Sequence, residues 1–175
     1  MNIPKKIVLM NRVFLFAGLI ILLAFSYGCS GKKIEIKDGT KYNEVSGDVI
    51  EIDKYIKKGT TLILSYSPWD PVSVRQLRVV KNIDNKYGKL GLRTIVFVYE
   101  EKEAEKIKNT KQTEVCEFPF FLADSRTTEI FGEKELVPEI LIVDSKKNIR
   151  QKIEGYIDFD SLEKILKKHM DITEF

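Results

Sequence analysis

Three short apolar runs, at residues 62–64, 95–99 and 140–143, constrain the fold of this chain most strongly. None of them alternates polar and apolar residues, and such runs are typical of strands that are covered on both faces in a parallel or mixed sheet. Between the first two runs, apolar residues recur every three or four positions from 74 to 87, and Gly88 follows, which predicts an amphipathic helix. The alternation of strands and helices predicts an α/β domain, with a central mixed sheet flanked by helices.

The segment before the first apolar run is predicted to add a small hairpin or an edge strand. Residues 34–36 alternate in polarity, and the pair Asp38-Gly39 behind them is a turn signal. Residues 53–57 fit one helical turn closed by Gly59. We therefore expect an N-terminal extension in front of the main sheet.

Further short elements follow the second apolar run. The charged residues 100–111 fit the solvated face of an exposed helix at 101–109. Residues 118–122 fit a short strand, and its phenylalanines Phe118, Phe120 and Phe121 are expected in the core. Residues 126–131 fit a brief helix, and the lysine-bearing residues 149–153 fit a strand at the edge of the sheet.

The last helix is predicted from a capping box, with Asp160 at its start and Glu163 three residues later. Its apolar stripe consists of Leu162, Ile165, Leu166 and Met170. His169, the only histidine, lies beside this stripe near the end of the helix, where a capping or surface role is expected. With one histidine and no Cys-x-x-Cys motif, neither a metal site nor a cofactor is predicted.

The junction between the first strand and the following helix is the most informative segment. The strand leads directly to Trp69, and the helix is expected to begin within four residues. Asp70 is a favourable N-cap, and Pro71 suits the first helical position because its φ angle is already fixed. A second signal is the pair Val137-Pro138, which directly precedes the third apolar run.

These features resemble the thioredoxin superfamily, in particular the TlpA/ResA-like branch related to the AhpC/TSA redoxins, over about residues 60–170. The resemblance implies a thioredoxin-like fold in which Pro138 is the cis-proline. It also implies that Asp70 and Ser73 occupy the two cysteine positions of the family's Cys-x-x-Cys motif. Thiol–disulfide exchange needs an attacking thiolate and a resolving thiol. Neither side chain can form a disulfide, so this chemistry is excluded at the junction if the correspondence holds.

Two interpretations of the altered motif stay open. In the first, Asp70 serves only as a helix cap. In the second, the family's peptide-binding groove is retained, and Trp69, Pro71 and Pro138 grip an extended polypeptide through packing and backbone hydrogen bonds. The binding residues predicted on this view are Trp69, Asp70, Pro71, Val137 and Pro138. No catalytic residue is assigned.

Cys116 is one of only two cysteines in the chain. Nearby Glu114 and Glu117 would raise the pKa of its thiol rather than lower it. An inert, partly buried cysteine is the simpler interpretation. The alternative is a single-thiol redox protein in which Cys116 reacts with peroxide or with a client thiol. A Cys29–Cys116 disulfide is possible if Cys29 is not acylated.

The first 28 residues are predicted to be a signal peptide. They contain three basic residues, Lys5, Lys6 and Arg12, and no acidic one, around the uncharged segment 13–25. The net charge of the whole chain is +3, so the remainder balances 26 basic against 26 acidic residues. A chain without a basic excess outside its leader is not expected to bind nucleic acid.

The leader ends in Ser26-Tyr27-Gly28-Cys29, which resembles the lipobox of bacterial lipoproteins. The resemblance implies cleavage before Cys29 and attachment of a diacylglycerol to its thiol. Ordinary cleavage after Ser26 and an uncleaved anchor remain alternatives. All three export the rest of the chain, because the positive end stays inside.

The sequence thus predicts three segments: a signal peptide at 1–28, a tether with a hairpin extension at 29–59, and a thioredoxin-like domain at 60–172. The predicted function is a binding or scaffold module without a dithiol, anchored by lipid on the extracytoplasmic side of a bacterial cell envelope. Its expected partner is an envelope protein or an extended peptide.

Overall fold

The computed structural model describes residues 33–34, 36–99, 109, 116–132 and 136–170. They belong to one compact unit, Lys32–Phe175. The predicted signal peptide, the lipidation site Cys29 and the helix predicted at 101–109, apart from Asn109, lie outside the described residues. Across the described part of the chain, every helix is too short or too polar to cross a bilayer.

The strands and helices follow a simple order along the chain. They are β1 (Lys41–Asn43), β2 (Val49–Glu51), α1 (Ile52–Ile56), β3 (Thr61–Tyr66), α2 (Pro71–Tyr87), β4 (Arg93–Val98), β5 (Phe120–Leu122), α3 (Thr128–Phe131), β6 (Glu139–Val143), β7 (Ile149–Glu154) and α4 (Phe159–Lys167). Two short 3₁₀ helices, Gly88–Leu90 and Ser125–Thr127, follow α2 and precede α3.

A five-stranded mixed sheet in the order β5-β4-β3-β6-β7 forms the centre of the molecule. β3 runs parallel to β4, and β4 parallel to β5, whereas β6 runs antiparallel to both β3 and β7. The predicted mixed sheet flanked by helices is confirmed. β7 lies at one edge, as its lysine predicts, and its residues alternate between partly buried and exposed.

Each face of the sheet carries its own apolar core. Leu64 and Ile140 on one face pack with Leu77 of α2 and Leu162 of α4. On the other face, Phe97 packs with residues of the N-terminal segment and α3, including Ile34, Ile56 and Ile130. Because both faces are covered, the three central strands are buried along their length, which is why their sequences do not alternate.

The N-terminal hairpin forms at a different place from the one predicted. A two-stranded sheet is present, but it pairs β1 with β2 and turns near Gly47 rather than at Asp38-Gly39. Ile34 and Ile36 are buried in the core instead of pairing across that turn. The amide of Ile34 donates to the carbonyl of Lys147 at 2.9 Å, so this segment lies against the turn between β6 and β7.

The predicted capping box of the last helix is wrong in its details. Asp158 is the N-cap, and its carboxylate accepts hydrogen bonds from the amide and hydroxyl of Ser161 at 3.0 and 2.8 Å. The carboxylate of Glu163 instead accepts from the Lys86 ammonium at 2.5 Å and from the Tyr87 hydroxyl at 2.7 Å. These contacts join α4 to α2.

Candidate functional site

The junction between β3 and α2 forms one side of the candidate site. β3 ends at Tyr66 and α2 begins at Pro71. Asp70 has an extended backbone and caps the helix, and Pro71 takes the first position, as predicted. Trp69 lies in the connecting loop with 53% of its surface exposed. Apolar side chains of this size are ordinarily buried, so the exposure of this indole makes it a candidate contact surface.

Asp70 and Ser73 are joined by hydrogen bonds at the start of the helix. The carboxylate of Asp70 accepts from the Ser73 amide and hydroxyl, each at 2.8 Å, and from the Val72 amide at 3.3 Å. Burial alone would raise the pKa of Asp70, but these three donors hold the pKa of the carboxyl below its ordinary value. The carboxylate is thus anionic at neutral pH and is used for capping.

The loop before β6 forms the other side. Its Val137–Pro138 peptide bond is cis. The buried hydroxyl of Ser65, on β3, donates to the Leu136 carbonyl at 2.6 Å and accepts from the Glu139 amide at 2.7 Å. Ser65 therefore fixes both ends of this loop to the end of β3, from which the Trp69 loop also starts.

Two exposed apolar side chains lie next to these two loops. Val72, in the first turn of α2, and Tyr156, just after β7, are both more than two-fifths exposed. The amide of Gly155 donates to the Pro138 carbonyl at 2.8 Å, and a φ of 79° at this glycine turns the chain toward α2. Tyr156 then stacks under the Arg75 guanidinium, 4.8 Å from its ring centre. We call Trp69, Val72, Val137, Pro138 and Tyr156 the groove residues; of these, Val137 is partly buried and Pro138 is buried.

A buried carboxyl lies directly behind the groove. The side chain of Glu139 is fully buried, and the Lys152 ammonium lies 3.0 Å from its Oε2. Neither oxygen meets strict hydrogen-bond geometry with another described residue, so Lys152 is held mainly as an ion pair. Burial raises the pKa of Glu139, and the contact and charge of Lys152 offset only part of that effect.

The chain matches no protein-family model and no curated protein sequence. Solved structures do match it. A thioredoxin-family thiol:disulfide interchange protein from Chlorobium tepidum TLS superposes with a TM-score of 0.70 at 14% identity, over 81% of this chain and 98% of that one. StoA from Bacillus subtilis gives 0.59 at 14% identity, over 73% and 95%. Peroxidoxin BcpB from Mycobacterium tuberculosis gives 0.62 at 11%, over 79% and 94%. This chain has a thioredoxin-like fold.

Within this thioredoxin-like fold, Cys116 lies far from the groove. It precedes β5 by four residues, and β5 runs parallel to β4 and β3. Asp70 follows the carboxyl end of β3, so the two residues lie at opposite ends of the sheet. Cys116 is a buried thiol with 7% of its surface exposed. It is therefore not placed to act together with Asp70 or Ser73.

The other residues considered from the sequence, three phenylalanines and His169, have surroundings typical of structural residues. Phe118, Phe120 and Phe121 are buried, as expected of core residues. The backbone carbonyl of His169 accepts from the Thr60 hydroxyl at 3.0 Å, at the end of the sheet remote from Asp70. No group of three or more metal-ligating side chains occurs within the described ranges.

Four residues of the site were not found from sequence. Ser65 gave no signal, because its partner at Leu136 lies 71 positions away. Val72 and Tyr156 read as ordinary apolar residues, and only the fold shows them exposed beside the groove. Glu139 had a usable signal: it is a charged residue at the start of an otherwise apolar buried strand.

Proposed function

We propose that this protein is an exported, lipid-anchored thioredoxin-like domain that binds an extended polypeptide in the bacterial cell envelope without thiol chemistry. One observation carries the proposal: Asp70 and Ser73 are hydrogen-bonded to each other beside the exposed side chains of Trp69 and Val72, at the positions where the family resemblance places two cysteines. A carboxylate and a hydroxyl cannot form or exchange a disulfide. The groove, however, does not need sulfur to bind a chain.

The groove offers both kinds of contact that an extended polypeptide uses. Trp69, Val72 and Tyr156 present exposed apolar surface for side chains. Among the described residues, none bonds to the backbone N–H or C=O of Val137, so both groups are available to a bound strand. Main-chain hydrogen bonds supply affinity in this mode, and the apolar contacts supply selectivity.

Export and anchoring are supported by the leader. Its basic start and uncharged segment 13–25 have the form of a secretory signal, and Cys29 follows Gly28 as in a lipobox. On this proposal the folded domain is held on the extracytoplasmic side of the membrane by the acylated Cys29. Mass spectrometry of the N-terminal peptide tests it, and an unmodified Cys29 thiol would refute the anchor.

The loss of dithiol chemistry is tested by insulin reduction with the full chain. We expect no turnover from the wild type. The double variant Asp70→Cys with Ser73→Cys should gain activity, since it restores both sulfurs to the start of α2, where the helix dipole favours a thiolate. Wild-type turnover that Asp70→Ala abolishes would refute the proposal.

A second candidate, single-thiol redox chemistry at Cys116, has one observation in its favour, the similarity in fold to a peroxidoxin. Burial of the thiol opposes it, because a reactive cysteine needs access and a stabilised thiolate. The folded protein should therefore leave Cys116 unmodified by iodoacetamide, whereas urea should expose it to rapid alkylation. Rapid alkylation in the folded state would favour the redox function.

A further inference from the structure

Positive charge is concentrated at the end of the sheet remote from the groove. We call Lys33, Lys58, Lys146, Arg150 and Lys168 the basic pole; they line two adjoining pockets that share Ser145 and Lys146. The residues come from four separate parts of the chain: the entry to the domain, the loop before β3, the β6–β7 hairpin and the end of α4. The fold thus assembles a cluster that no sequence segment shows.

Most of these charges have no acidic partner among the described residues. Within the described part of the chain, no carboxylate pairs with Lys33, Lys58, Lys146 or Lys168. Asp144 is the one acid on the larger pocket, and the Arg150 guanidinium lies 3.0 Å from it.

The acid of the second pocket is also engaged. Asp38 lies between Lys147 and Lys57, at 2.8 and 3.4 Å, and Asp53 adds a further contact to Lys57 at 3.2 Å. These lysines and acids largely cancel one another. The excess positive charge therefore remains on the basic pole itself.

The pKa of His169 reflects the positive charge around it. Burial lowers the pKa of this imidazole, and the nearby charges of Arg150 and Lys168 lower it further. A protonated histidine is disfavoured where positive charge is already concentrated. The pole is accordingly suited to an anionic surface.

The chain enters the domain at this same pole. Lys33 pairs with Asn148 in an isolated antiparallel bridge, and the Ile34 amide donates to the Lys147 carbonyl. Cys29 precedes Lys33 by four residues, which can span at most about 14 Å when fully extended. A lipid on Cys29 would therefore hold the basic pole close to the bilayer.

The groove lies at the other end of the same strands. Lys58 precedes the start of β3, whereas Trp69 follows its end. The antiparallel strand β6 runs the other way, with Pro138 just before its start and Asp144 just after its end. A strand of this length covers about 17–20 Å. A domain held by its basic pole therefore presents the groove away from the membrane.

We propose that the basic pole docks on anionic lipid headgroups and orients the groove outward. The inference rests on the proposed lipid anchor. A diacylglycerol supplies attachment but does not fix the orientation of the domain, whereas each Lys or Arg near an anionic surface adds to the attraction. The exported part of the chain is neutral in total, so the docking comes from how its charges are separated and not from their sum.

Lysine acetylation tests the docking. The full chain is mixed with vesicles of phosphatidylcholine alone, or of phosphatidylcholine and phosphatidylglycerol in equal parts, and labelled with a water-soluble reagent. Anionic vesicles should slow acetylation of Lys58, Lys146 and Lys168 by about threefold or more. Labelling of the matched set Lys41, Lys81 and Lys164 should not change. High salt should reverse the slowing, because it screens the attraction.

Charge reversal supplies the matched variants. Replacing Lys58, Lys146 and Lys168 together by Glu should abolish the difference between the two lipid mixtures, whereas the same change at Lys41, Lys81 and Lys164 should preserve it. If anionic vesicles slowed the acetylation of both sets of lysines equally, the docking would be overturned. Slowing by inorganic phosphate on neutral vesicles would assign a free-anion site and also overturn it.

The failure of the anchor is read separately. The mass of the N-terminal peptide is measured on the same sample, and an unmodified Cys29 refutes only the anchor. The difference in acetylation between the two sets of lysines tests the docking. Neither the acetylation nor the peptide mass depends on whether the groove binds a polypeptide.

Discussion

At the scale of single residues, Asp70 shows that the start of a helix can stabilise a structural carboxylate as well as a reactive thiolate. The N-terminus of a helix stabilises a negative charge, whether it is a reactive thiolate or a carboxylate. Here the carboxylate accepts three hydrogen bonds from its own helix, two of them from Ser73. On the proposed function, the two positions that hold cysteines in a dithiol protein stabilise the start of the helix in this one.

Replacement of Asp70 measures this structural role. Asp70→Ala should lower the free energy of unfolding by about 1 kcal/mol, because the cap is lost. Asp70→Asn, which retains capping oxygen, should cost less. Urea unfolding monitored by circular dichroism provides the measurement. Equal stability of Asp70→Ala and the wild type would contradict the capping role.

The same variant has a defined pH dependence. The pKa of Asp70 is lowered in the folded state, so its contribution to stability is present above the unfolded pKa, near 3.8. That contribution is lost as the pH falls through the lower, folded pKa. The stability difference between wild type and Asp70→Ala should therefore shrink under strongly acid conditions.

Ser65 is a second residue whose role comes from tertiary contacts. Ser65→Ala leaves the Leu136 carbonyl and the Glu139 amide without their buried partner, and we expect a loss of about 1–3 kcal/mol. Ser67→Ala, in the partly buried loop, is the control and should cost little. Hydrogen exchange should also become faster at the Glu139 amide. Unchanged exchange there would contradict the proposed attachment of the Pro138 loop.

At the scale of elements, burial decides what sequence can predict. The three central strands were predicted because a strand covered on both faces has an uninterrupted run of apolar residues in its own sequence. The hairpin and the capping box were misplaced because distant partners decide them. The Ile34 amide donates to the Lys147 carbonyl, and the Glu163 carboxylate accepts from the side chains of Lys86 and Tyr87. Local patterns cannot report contacts across more than seventy residues.

The contact of α2 with α4 gives a prediction at this scale. Hydrogen bonds from Lys86 and Tyr87 lower the pKa of Glu163 to about 2. Glu163→Gln should lower the stability by about 1–2 kcal/mol at neutral pH, since a charged hydrogen bond and an ion pair are weakened. Its contribution is present above the unfolded pKa of 4.5 and is lost as the pH falls toward about 2.

Urea unfolding at several pH values provides the test for Glu163. The difference between wild type and variant should be constant above about pH 5 and should narrow below the unfolded pKa. Glu129→Gln, on the exposed surface of α3, is the matched control. A difference that grows on acidification would contradict the assignment.

At the scale of the whole molecule, the sheet separates two surfaces. Trp69 and the other groove residues lie at one end, and the basic pole lies at the other, beside the point where the chain enters. The strand–Trp–helix junction in the sequence predicted where the groove residues would lie. The sequence could not show the second surface, because lysines from four segments meet only after folding, within a domain of zero net charge.

On the proposed function, the groove binds an extended polypeptide without sulfur. Val72 beside the groove and Val49 on β2 are both exposed, at 42% and 59%, so each accepts the photoreactive residue p-benzoylphenylalanine. The probe is carboxymethylated ribonuclease A, an unfolded chain without thiols. We predict crosslinks from position 72 and not from position 49, with about a tenfold loss in Trp69→Ala. Equal crosslinking at both positions, or none at 72, would contradict the claim.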